Sequence, residues 1–490
     1  FIRFFCFVFT ATLLSGSEPV RTLLVEVRDA PAVEREEGGR FFFGGENRRR
    51  MVSQVRDNAL LFTTKGELAQ WEKEGFEARL LMESDDELML YRRAALGASL
   101  KLDPVYHSYD EIVQRAEELM KQYPGLMSRI EIGRTTHFSR PIYAYRLSNN
   151  ASEQLDRPGI LFDGSHHSSE LMGAEIVTAL MERFVGSYGI DSDVTKWMDT
   201  LEIYLVPVVN VDGHDMVTSG RDPRWRKNLR DVNGDGVVGV YPEGVDVNRN
   251  YDFNWAKGGS SEPDFYSYRG AHPFSEAENR AMRHLVEMKN FVLSISYHSQ
   301  GEVIYYPWTW GGRAAPDDAL IKQIASDIAG SIQTMSGDGT YGYSPGGAAS
   351  QSFPWFYGRY GTFDFIVETG KGAHIFPPEE VPGIIAVNLP GAYALLNHAA
   401  GPGLSIQVSD AKTGKPLKAE VWFPRIENEM IGRRRSDSGF GRSWRLLNPG
   451  TYKIIVSQEG YKTVVLPKID VMKEGWTPLN VLLKPVGGGG

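Results

Sequence analysis

The chain has 490 residues, and its 42% hydrophobic and 23% charged content is that of an ordinary globular protein with roughly three domains. The formal net charge of −9, without a basic stripe, argues against a nucleic-acid-binding protein. Beyond the N-terminus, no stretch approaches the length of a membrane-spanning helix, so we expect no membrane span in the mature chain.

Residues 1–17 have the pattern of a secretory signal peptide, in which Arg3 precedes the apolar run Phe4–Leu14 and small residues follow. We therefore expect a secreted or extracytoplasmic protein. Cys6, the only cysteine, lies in this segment, so the mature chain would have neither a disulfide nor a catalytic cysteine. An exported protein without disulfides favours a bacterial over an animal source.

Three domains are predicted after this segment. Residues 18–97 read as strands around one helix, which indicates a small N-terminal α+β unit. Strands and helices alternate over residues 104–400, which predicts an α/β domain with a mixed, mostly buried sheet and helices on both faces. Residues 403–486 alternate short strands with turns and predict an all-β sandwich.

The stretch ILFDGSHHSSELMGAE, residues 160–175, reads as a strand, a tight turn and a helix capped by Ser168 or Ser169. His167 and Glu170, spaced H-x-x-E, would lie on one side of the first helical turn and could reach one cation. The spacing alone leaves another interpretation open, a solvated helix N-terminus with an acidic residue in its first turn.

Polar residues also follow two later apolar strands. His298 comes directly after Phe291–Tyr297, and Glu368 closes the strand Phe363–Val367. Because ligands gather at the carboxyl ends of strands in open α/β sheets, His298 is the expected third ligand. Burial would raise the pKa of Glu368 towards the range of a general base. A hydrogen-bonded histidine at a sheet edge and a carboxylate in a salt bridge are the alternatives.

The segments between these strands carry further candidate sites. Ser275 and Glu278 form a capping box that predicts a helix over residues 276–288. The segments WRKN and VDVNRN place Arg226 and Arg249 outside helices, where an arginine suits carboxylates and oxyanions, although a solvated loop is the alternative.

The segment Asp231–Glu243 begins like a calcium-binding loop, with Asp231, Asn233 and Asp235 before Gly236. Its twelfth residue is Pro242 where such loops carry glutamate, so an Asx-rich turn is the alternative to a Ca²⁺ site.

From about Tyr106 to His398 the chain resembles the zinc metallocarboxypeptidases of the carboxypeptidase A type. The segments HSSE, WRKN, GVDVNRN, HS, YP and FIVETG follow in that family's order. The resemblance implies one zinc ion per chain, held by His167, Glu170 and His298 with a water in the fourth position.

The resemblance also implies roles for other residues. Asp246 would orient the first histidine, Glu368 would be the general base, and Arg226 would stand beside the scissile carbonyl group. The residues implied to bind substrate are Asn248 and Arg249 on its terminal carboxylate, Tyr343 (or Tyr341) closing over it, and Phe353 at the base of the primary specificity pocket.

The expected activity is hydrolysis of the C-terminal peptide bond of peptides or proteins. Phe353 and Thr309 in the pocket are neutral, which predicts a preference for neutral, apolar or aromatic terminal residues. Residues 18–97 stand in the place of a propeptide, and residues 403–486 resemble a transthyretin-like regulatory domain.

Two alternative functions remain. One is a related zinc amidase or deacylase acting on murein peptides or side-chain amides, which the presence of both Asn248 and Arg249 disfavours. The other is a non-catalytic peptide-binding relative, which the presence of Glu368 and Arg226 disfavours.

Overall fold

The computed structural model describes residues 103–240 and 242–486 and, before residue 103, Lys73 and six strands. The predicted signal peptide lies outside the described residues, as does the helix expected between residues 63 and 78 apart from Lys73. The chain forms two compact units, of which one comprises residues 1–101, 231–244 and 263–265 and the other the remaining residues.

Strands in the first unit form a four-stranded antiparallel sheet, in the order β4-β5-β1-β6, and a separate pair, β2-β3. Their bounds are β1 Leu23–Val27, β2 Glu34–Arg35, β3 Phe41–Phe42, β4 Arg50–Val55, β5 Asn58–Thr63 and β6 Ala78–Met82.

The centre of the second unit is an eight-stranded mixed sheet in the order β15-β12-β16-β11-β9-β10-β8-β7. A two-stranded hairpin, β13-β14, accompanies it. The bounds are β7 Met127–Arg134, β8 Pro141–Leu147, β9 Gly159–Gly164, β10 Glu202–Val206, β11 Phe291–His298, β12 Val303–Tyr306, β13 Thr309–Trp310, β14 Arg313–Ala314, β15 Gly342–Pro345 and β16 Phe363–Glu368.

The middle strands of this sheet, β10, β9, β11 and β16, are parallel to one another. Every residue of β9, β10 and β11 is buried, as expected for parallel strands whose two faces are both covered. The predicted mixed and mostly buried sheet is confirmed.

Helices flank the sheet, and short helical turns lie in the connections. The α-helices are α1 Tyr109–Gln122, α2 Met172–Ser187, α3 Ser192–Thr200, α4 Val211–Thr218, α5 Ala277–Met288, α6 Asp318–Ser331, α7 Ser352–Trp355 and α8 Val381–His398. The turns are 3₁₀ at Val247–Arg249 and Trp255–Lys257, and a π-helical turn at Phe356–Tyr360. Within the described ranges, none of the helices combines the length and apolar character needed to span a bilayer.

The helix after β9 begins later than predicted, at Met172, and its N-cap is Leu171 rather than Ser168 or Ser169. Ser168 is bonded instead to a neighbouring loop. Its backbone N–H donates to the carbonyl of Arg226 (3.1 Å) and its hydroxyl to that of Lys227 (3.2 Å). The H-x-x-E residues therefore lie in a turn before the helix and not on its first turn.

The predicted Ser275–Glu278 capping box is also wrong. Helix α5 begins at Ala277 without a side-chain cap, because the carboxylate of Glu278 accepts hydrogen bonds from the backbone and hydroxyl of Thr136 (2.9 and 2.5 Å). Helix α4 was not predicted from the sequence. Its N-cap is Asn210, whose side chain accepts from the N–H of Gly213.

The C-terminal strands form a β-sandwich, with one sheet ordered β20-β17-β23 and the other β19-β18-β21-β22. Fully buried side chains from both sheets, including Leu404, Ile406, Val421 and Ile454, form its core. The bounds are β17 Gly403–Asp410, β18 Glu420–Trp422, β19 Arg434–Arg435, β20 Arg442–Leu446, β21 Gly450–Ser457, β22 Val464–Val471 and β23 Trp476–Leu483.

A buried histidine in α4 predicts acid sensitivity of this fold. His214 is fully buried, with Nε2 2.9 Å from the carbonyl oxygen of His107, and burial lowers the pKa of His214 to about 4. The unfolded chain, with a pKa of about 6.5 at this residue, then binds the proton more readily, so stability should fall as pH drops below that value. We expect His214 to remove about 2 kcal/mol of unfolding free energy between pH 7.5 and pH 5.

Chemical denaturation of the wild type and of His214→Gln at both pH values measures this loss. The variant should lose less stability on acidification, by about 2 kcal/mol. An equal loss in both proteins would contradict the assignment.

Candidate active site

The site lies where three parallel strands end. Strand β9 ends at Gly164, β11 at His298 and β16 at Glu368. In the sheet register His298 pairs with Glu368, and Tyr297 pairs with Gly164. The residues that follow β9 therefore lie at the same edge as the last residues of β11 and β16, as the sequence predicted.

His167, Glu170 and His298 come together at this edge. Nδ1 of His167 lies 2.8 Å from Glu170 Oε1, Nδ1 of His298 lies 2.8 Å from Glu170 Oε2, and the two nitrogens are 3.1 Å apart. All three side chains are at least 95% buried. Two imidazoles and one carboxylate form the ligand set of a catalytic zinc site, in which one position stays open for water or substrate.

Asp246 lies beside Nε2 of His167, the ring nitrogen that is not directed at the cluster. Its Oδ1 lies 3.2 Å from His167 Nε2, and a proton held on Nε2 by this carboxylate leaves the Nδ1 lone pair directed at the cluster. The donor set therefore fits a metal ion bound through Nδ1. Burial would raise the pKa of Asp246, but Arg226 and His167 hold it well below its ordinary range, so the carboxylate is ionised.

Arg226 joins two of these carboxylates. Its guanidinium lies 3.0 Å from Asp246 Oδ2 and 3.3 Å from Glu170 Oε1, and it packs against the ring of Tyr266. Burial opposes the charge of Glu170 as well, but the two histidines keep its pKa well below the usual value. The carboxylates expected to bind the metal and to orient His167 are therefore both ionised.

Glu368 differs from these carboxylates. Burial, followed by the negative charge of Glu170, raises the pKa of Glu368 to about 7. A carboxyl group that titrates near neutral pH is suited to accept a proton and to return it, which is the task of a general base. Glu368 lies at the cluster's edge of the sheet but is not one of the three clustered side chains.

A cavity of about 350 Å³ opens beside the cluster. Its wall includes the three cluster residues together with Arg226, Asn248, Arg249 and Glu368, so it joins nearly all the residues expected to act on substrate. Among the residues that the structure describes, the remaining wall carries no carboxylate and consists of Ser299, Gln300, Tyr305, Gly346, Gly347, Gln351, Phe353, Ile366 and His374.

The residues expected to bind substrate are placed as follows. Asn248 is buried, with Nδ2 3.3 Å from His298 Nε2 and Oδ1 accepting from the backbone of Ser352 at 3.0 Å. Arg249 is half-buried and donates to the backbone carbonyl of Asn248 at 2.8 Å. Phe353 is 1% exposed and lies in the cavity wall.

The two candidate tyrosines differ in environment. Tyr343 lies on edge strand β15, three residues before Gly346 of the cavity wall, and is 41% exposed. Tyr341 is buried, and its hydroxyl accepts a hydrogen bond from the backbone of Gly370 at 2.9 Å. An exposed side chain can move over a substrate, so Tyr343 remains the better candidate.

Thr309, expected in the specificity pocket, lies instead on the exposed hairpin β13-β14 and is not among the residues that line the cavity. Several residues that do line it, including Tyr305 and Ile366, were not predicted from the sequence. Ile366 stands two residues before Glu368 on β16 and so shares its face of the sheet. This period of two was a signal available in the sequence. His374 and Gln351 lie in loops and carry no such pattern.

The Asp231–Glu243 loop gives no support for calcium. Oxygens of Asp231 accept hydrogen bonds from the backbone of Gly234 (2.7 Å) and Gly236 (2.9 Å), as expected of the Asx-rich turn. Throughout the described part of the chain, the one group of three or more side chains arranged to hold a metal is His167, Glu170 and His298.

Fold and site together define a zinc-dependent hydrolase of the carboxypeptidase type. The family model for zinc carboxypeptidases matches residues 112–386, and the chain belongs to this family and is a metallocarboxypeptidase. Carboxypeptidase A1 of Bos taurus is 27% identical over 329 residues, which are 65% of this chain and 76% of that protein. Human carboxypeptidase A1 is 28% identical over 311 residues, 62% and 72% of the two chains.

Solved structures agree in fold. The carboxypeptidase A of Helicoverpa armigera superposes with a TM-score of 0.53 and 18% identity, covering 78% of this chain and 98% of that one. Bovine thrombin-activatable fibrinolysis inhibitor, in its complex with tick carboxypeptidase inhibitor, gives a TM-score of 0.52 and 23% identity, covering 60% and 97%.

The geometry predicts one zinc ion per chain, lost when its ligands are removed. Metal analysis of purified His167→Ala/His298→Ala protein should find none. The control Glu368→Gln should retain one zinc per chain, because Glu368 lies outside the three-residue cluster, while its turnover falls by about 10²- to 10⁴-fold if Glu368 acts as the expected base. Zinc retention in the double variant, or zinc loss in the control, would contradict these roles.

Proposed function

We propose that this protein is a secreted carboxypeptidase that removes neutral, preferably apolar, residues from the C-termini of peptides and proteins. The observation that carries the proposal is one cavity whose wall joins the metal-binding cluster, Glu368 and the Asn248–Arg249 pair. The segment at residues 1–17 supports export.

The proposed chemistry uses this chain's residues in fixed roles. Zinc, when held by His167, Glu170 and His298, supplies Lewis acidity for polarising water and the peptide carbonyl group. Glu368 takes a proton from the attacking water and then delivers it to the leaving amine. Arg226 borders the same cavity, and its positive charge stabilises the oxygen that becomes negative during attack.

The Asn248–Arg249 pair accounts for the restriction to chain ends. Both residues lie in the cavity wall, and among the wall residues only Arg226 and Arg249 carry a permanent positive charge. Arg226 is paired with Asp246 and Glu170, whereas Arg249 donates to a backbone carbonyl, so its remaining donors suit a terminal carboxylate. A carboxylate bound there fixes the register so that the last peptide bond is presented to Glu368.

The wall beyond this pair accounts for the terminal side chain. Tyr305, Phe353 and Ile366 contribute two aromatic side chains and one aliphatic side chain to the wall. Among the described residues, no carboxylate other than Glu170 and Glu368 lines it. A lysine or arginine side chain would therefore lose its hydration without gaining a partner charge.

A comparison of peptides with free and amidated C-termini tests the proposed function. The wild type should cleave the free acid and leave its amide essentially uncut. Arg249→Ala should lower kcat/KM for the free acid by about 10²-fold, because the bidentate contact to the carboxylate is lost. Equal cleavage of acid and amide by the wild type would refute an exopeptidase and point to the amidase alternative.

Terminal-residue selectivity is a separate expectation. Peptides that differ only in their last residue should show higher kcat/KM for Phe and Leu than for Lys and Glu, by about 10- to 100-fold. The measurement is a kcat/KM series at one pH and salt concentration. Faster release of Lys than of Phe would show that a carboxylate from elsewhere enters the pocket.

A further inference from the structure

One short segment connects the cavity to the C-terminal β-sandwich. It comprises residues 350–361 and contains α7 and the π-helical turn that follows it. At its start Gln351 and Phe353 form cavity wall, and the backbone N–H of Ser352 donates to the side chain of Asn248 at 3.0 Å. The position of this segment therefore determines where one wall of the pocket lies and where the side chain of Asn248, proposed to bind the carboxylate, is held.

The other end of the segment is held by the β-sandwich. The carbonyl of Tyr357 accepts from the guanidinium of Arg434 at 2.5 Å, and the carbonyl of Gly358 accepts from the backbone N–H of Gly432 at 2.7 Å. The hydroxyl of Tyr357 donates to Asp317 Oδ2 at 2.7 Å, and Asp317 in turn binds Arg445 of strand β20.

Four charged side chains meet at this contact and are called here the interdomain ion cluster: Asp317, Glu427, Arg434 and Arg445. Each is more than 90% buried. One guanidinium nitrogen of Arg445 lies 2.9 Å from both carboxylate oxygens of Asp317 and 3.7 Å from Glu427. Glu427 lies 3.8 Å from Arg434, so two positive and two negative groups balance.

A buried ion cluster of this kind adds little net stability but strongly penalises any arrangement that leaves one charge unpaired. It therefore fixes one relative position of the groups that it joins. Through Tyr357, the group fixed here is the helical turn that begins at Phe356, three residues after Phe353.

We propose that the interdomain ion cluster positions the wall of the specificity pocket, with Arg434 and Arg445 as positioning residues for selection of the terminal side chain. The β-sandwich thereby takes part in specificity without touching the substrate. This inference rests on the proposed carboxypeptidase function and adds to it the device that keeps Phe353 in place.

The test compares kcat/KM for two peptides that differ only in ending with Phe or with Ala. A phenylalanine side chain fills the pocket and an alanine methyl group does not, so their ratio reports on the pocket wall. In Arg445→Met the ratio should fall by about 5- to 10-fold, while zinc content stays at one per chain. A loss of folded protein alone would lower both values equally and leave the ratio unchanged.

A matched control is available at the same domain contact. Arg442 of β20 binds Asp156 through both carboxylate oxygens (2.7 to 3.1 Å), and it makes no hydrogen bond to residues 350–361. Arg442→Met should keep the wild-type ratio. Tyr357→Phe, which removes only the hydroxyl that contacts Asp317, gives a milder second variant in case Arg445→Met does not fold, and it should lower the ratio at least about twofold.

The outcomes separate two failures. A wild type that does not remove C-terminal residues refutes the proposed function and the inference with it. A wild type that prefers Phe, together with folded Arg445→Met or Tyr357→Phe protein of unchanged ratio, overturns the inference alone. An equal fall of the ratio in Arg442→Met overturns it too, because the domain contact as a whole would then be responsible.

Discussion

The register between parallel strands β9, β11 and β16 is the constraint on which the site depends. His298 and Glu368 are paired residues of neighbouring strands. Only this pairing brings Glu368 beside the cluster to which His298 belongs. A slip by one residue would turn either side chain to the opposite face of the sheet. The buried apolar residues of β9 and β11 oppose such a slip, because it would replace the side chains against which they pack. Core packing thus fixes the chemistry.

Charge balance is the second constraint. Glu170, Asp246 and Glu368 lie close together, and burial alone would protonate all three. Arg226 and the histidines keep the first two ionised, whereas Glu368 receives less of this compensation and has its pKa raised to about 7. The same group of charges therefore leaves Glu170 and Asp246 ionised and gives Glu368 a pKa of about 7. Arg226 is shared between Glu170 and Asp246, so it orders the carboxylates as well as facing the cavity.

The sequence predicted those parts of the site that follow from strand ends. His298 and Glu368 close apolar strands, and that pattern alone locates them at one edge of the sheet. The start of α2 could not be predicted. Serine is a common N-cap residue, but Ser168 instead bonds to the loop at residues 226–227, which is distant in sequence. Glu278 likewise looked like a cap and instead binds Thr136, some 140 residues earlier in the chain. Local signals failed where a long-range hydrogen bond competed for the same side chain.

The environments of the three adjacent arginines Arg433–Arg435 could not be predicted from their basic composition. From the sequence, the triplet reads as a hairpin loop, but Arg434 and Arg435 form strand β19, and Arg434 is 4% exposed. Arg433 packs on the ring of Trp422 and Arg435 pairs with Glu420, so three adjacent arginines have three separate environments. The buried Arg434 reaches the catalytic domain through its guanidinium, at the carbonyl of Tyr357, whereas Arg435 does so through its backbone carbonyl, which accepts from the side chain of Asn290 at 3.1 Å. The guanidinium of Arg434 is buried and donates to this carbonyl through Nη1, so a shift of the β-sandwich would remove that partner from a buried charge. The contact therefore specifies how the β-sandwich meets the helical turn after the pocket. An apolar contact of the same area would hold the two surfaces together but would tolerate sliding, which a pocket wall made by a single segment could not accommodate.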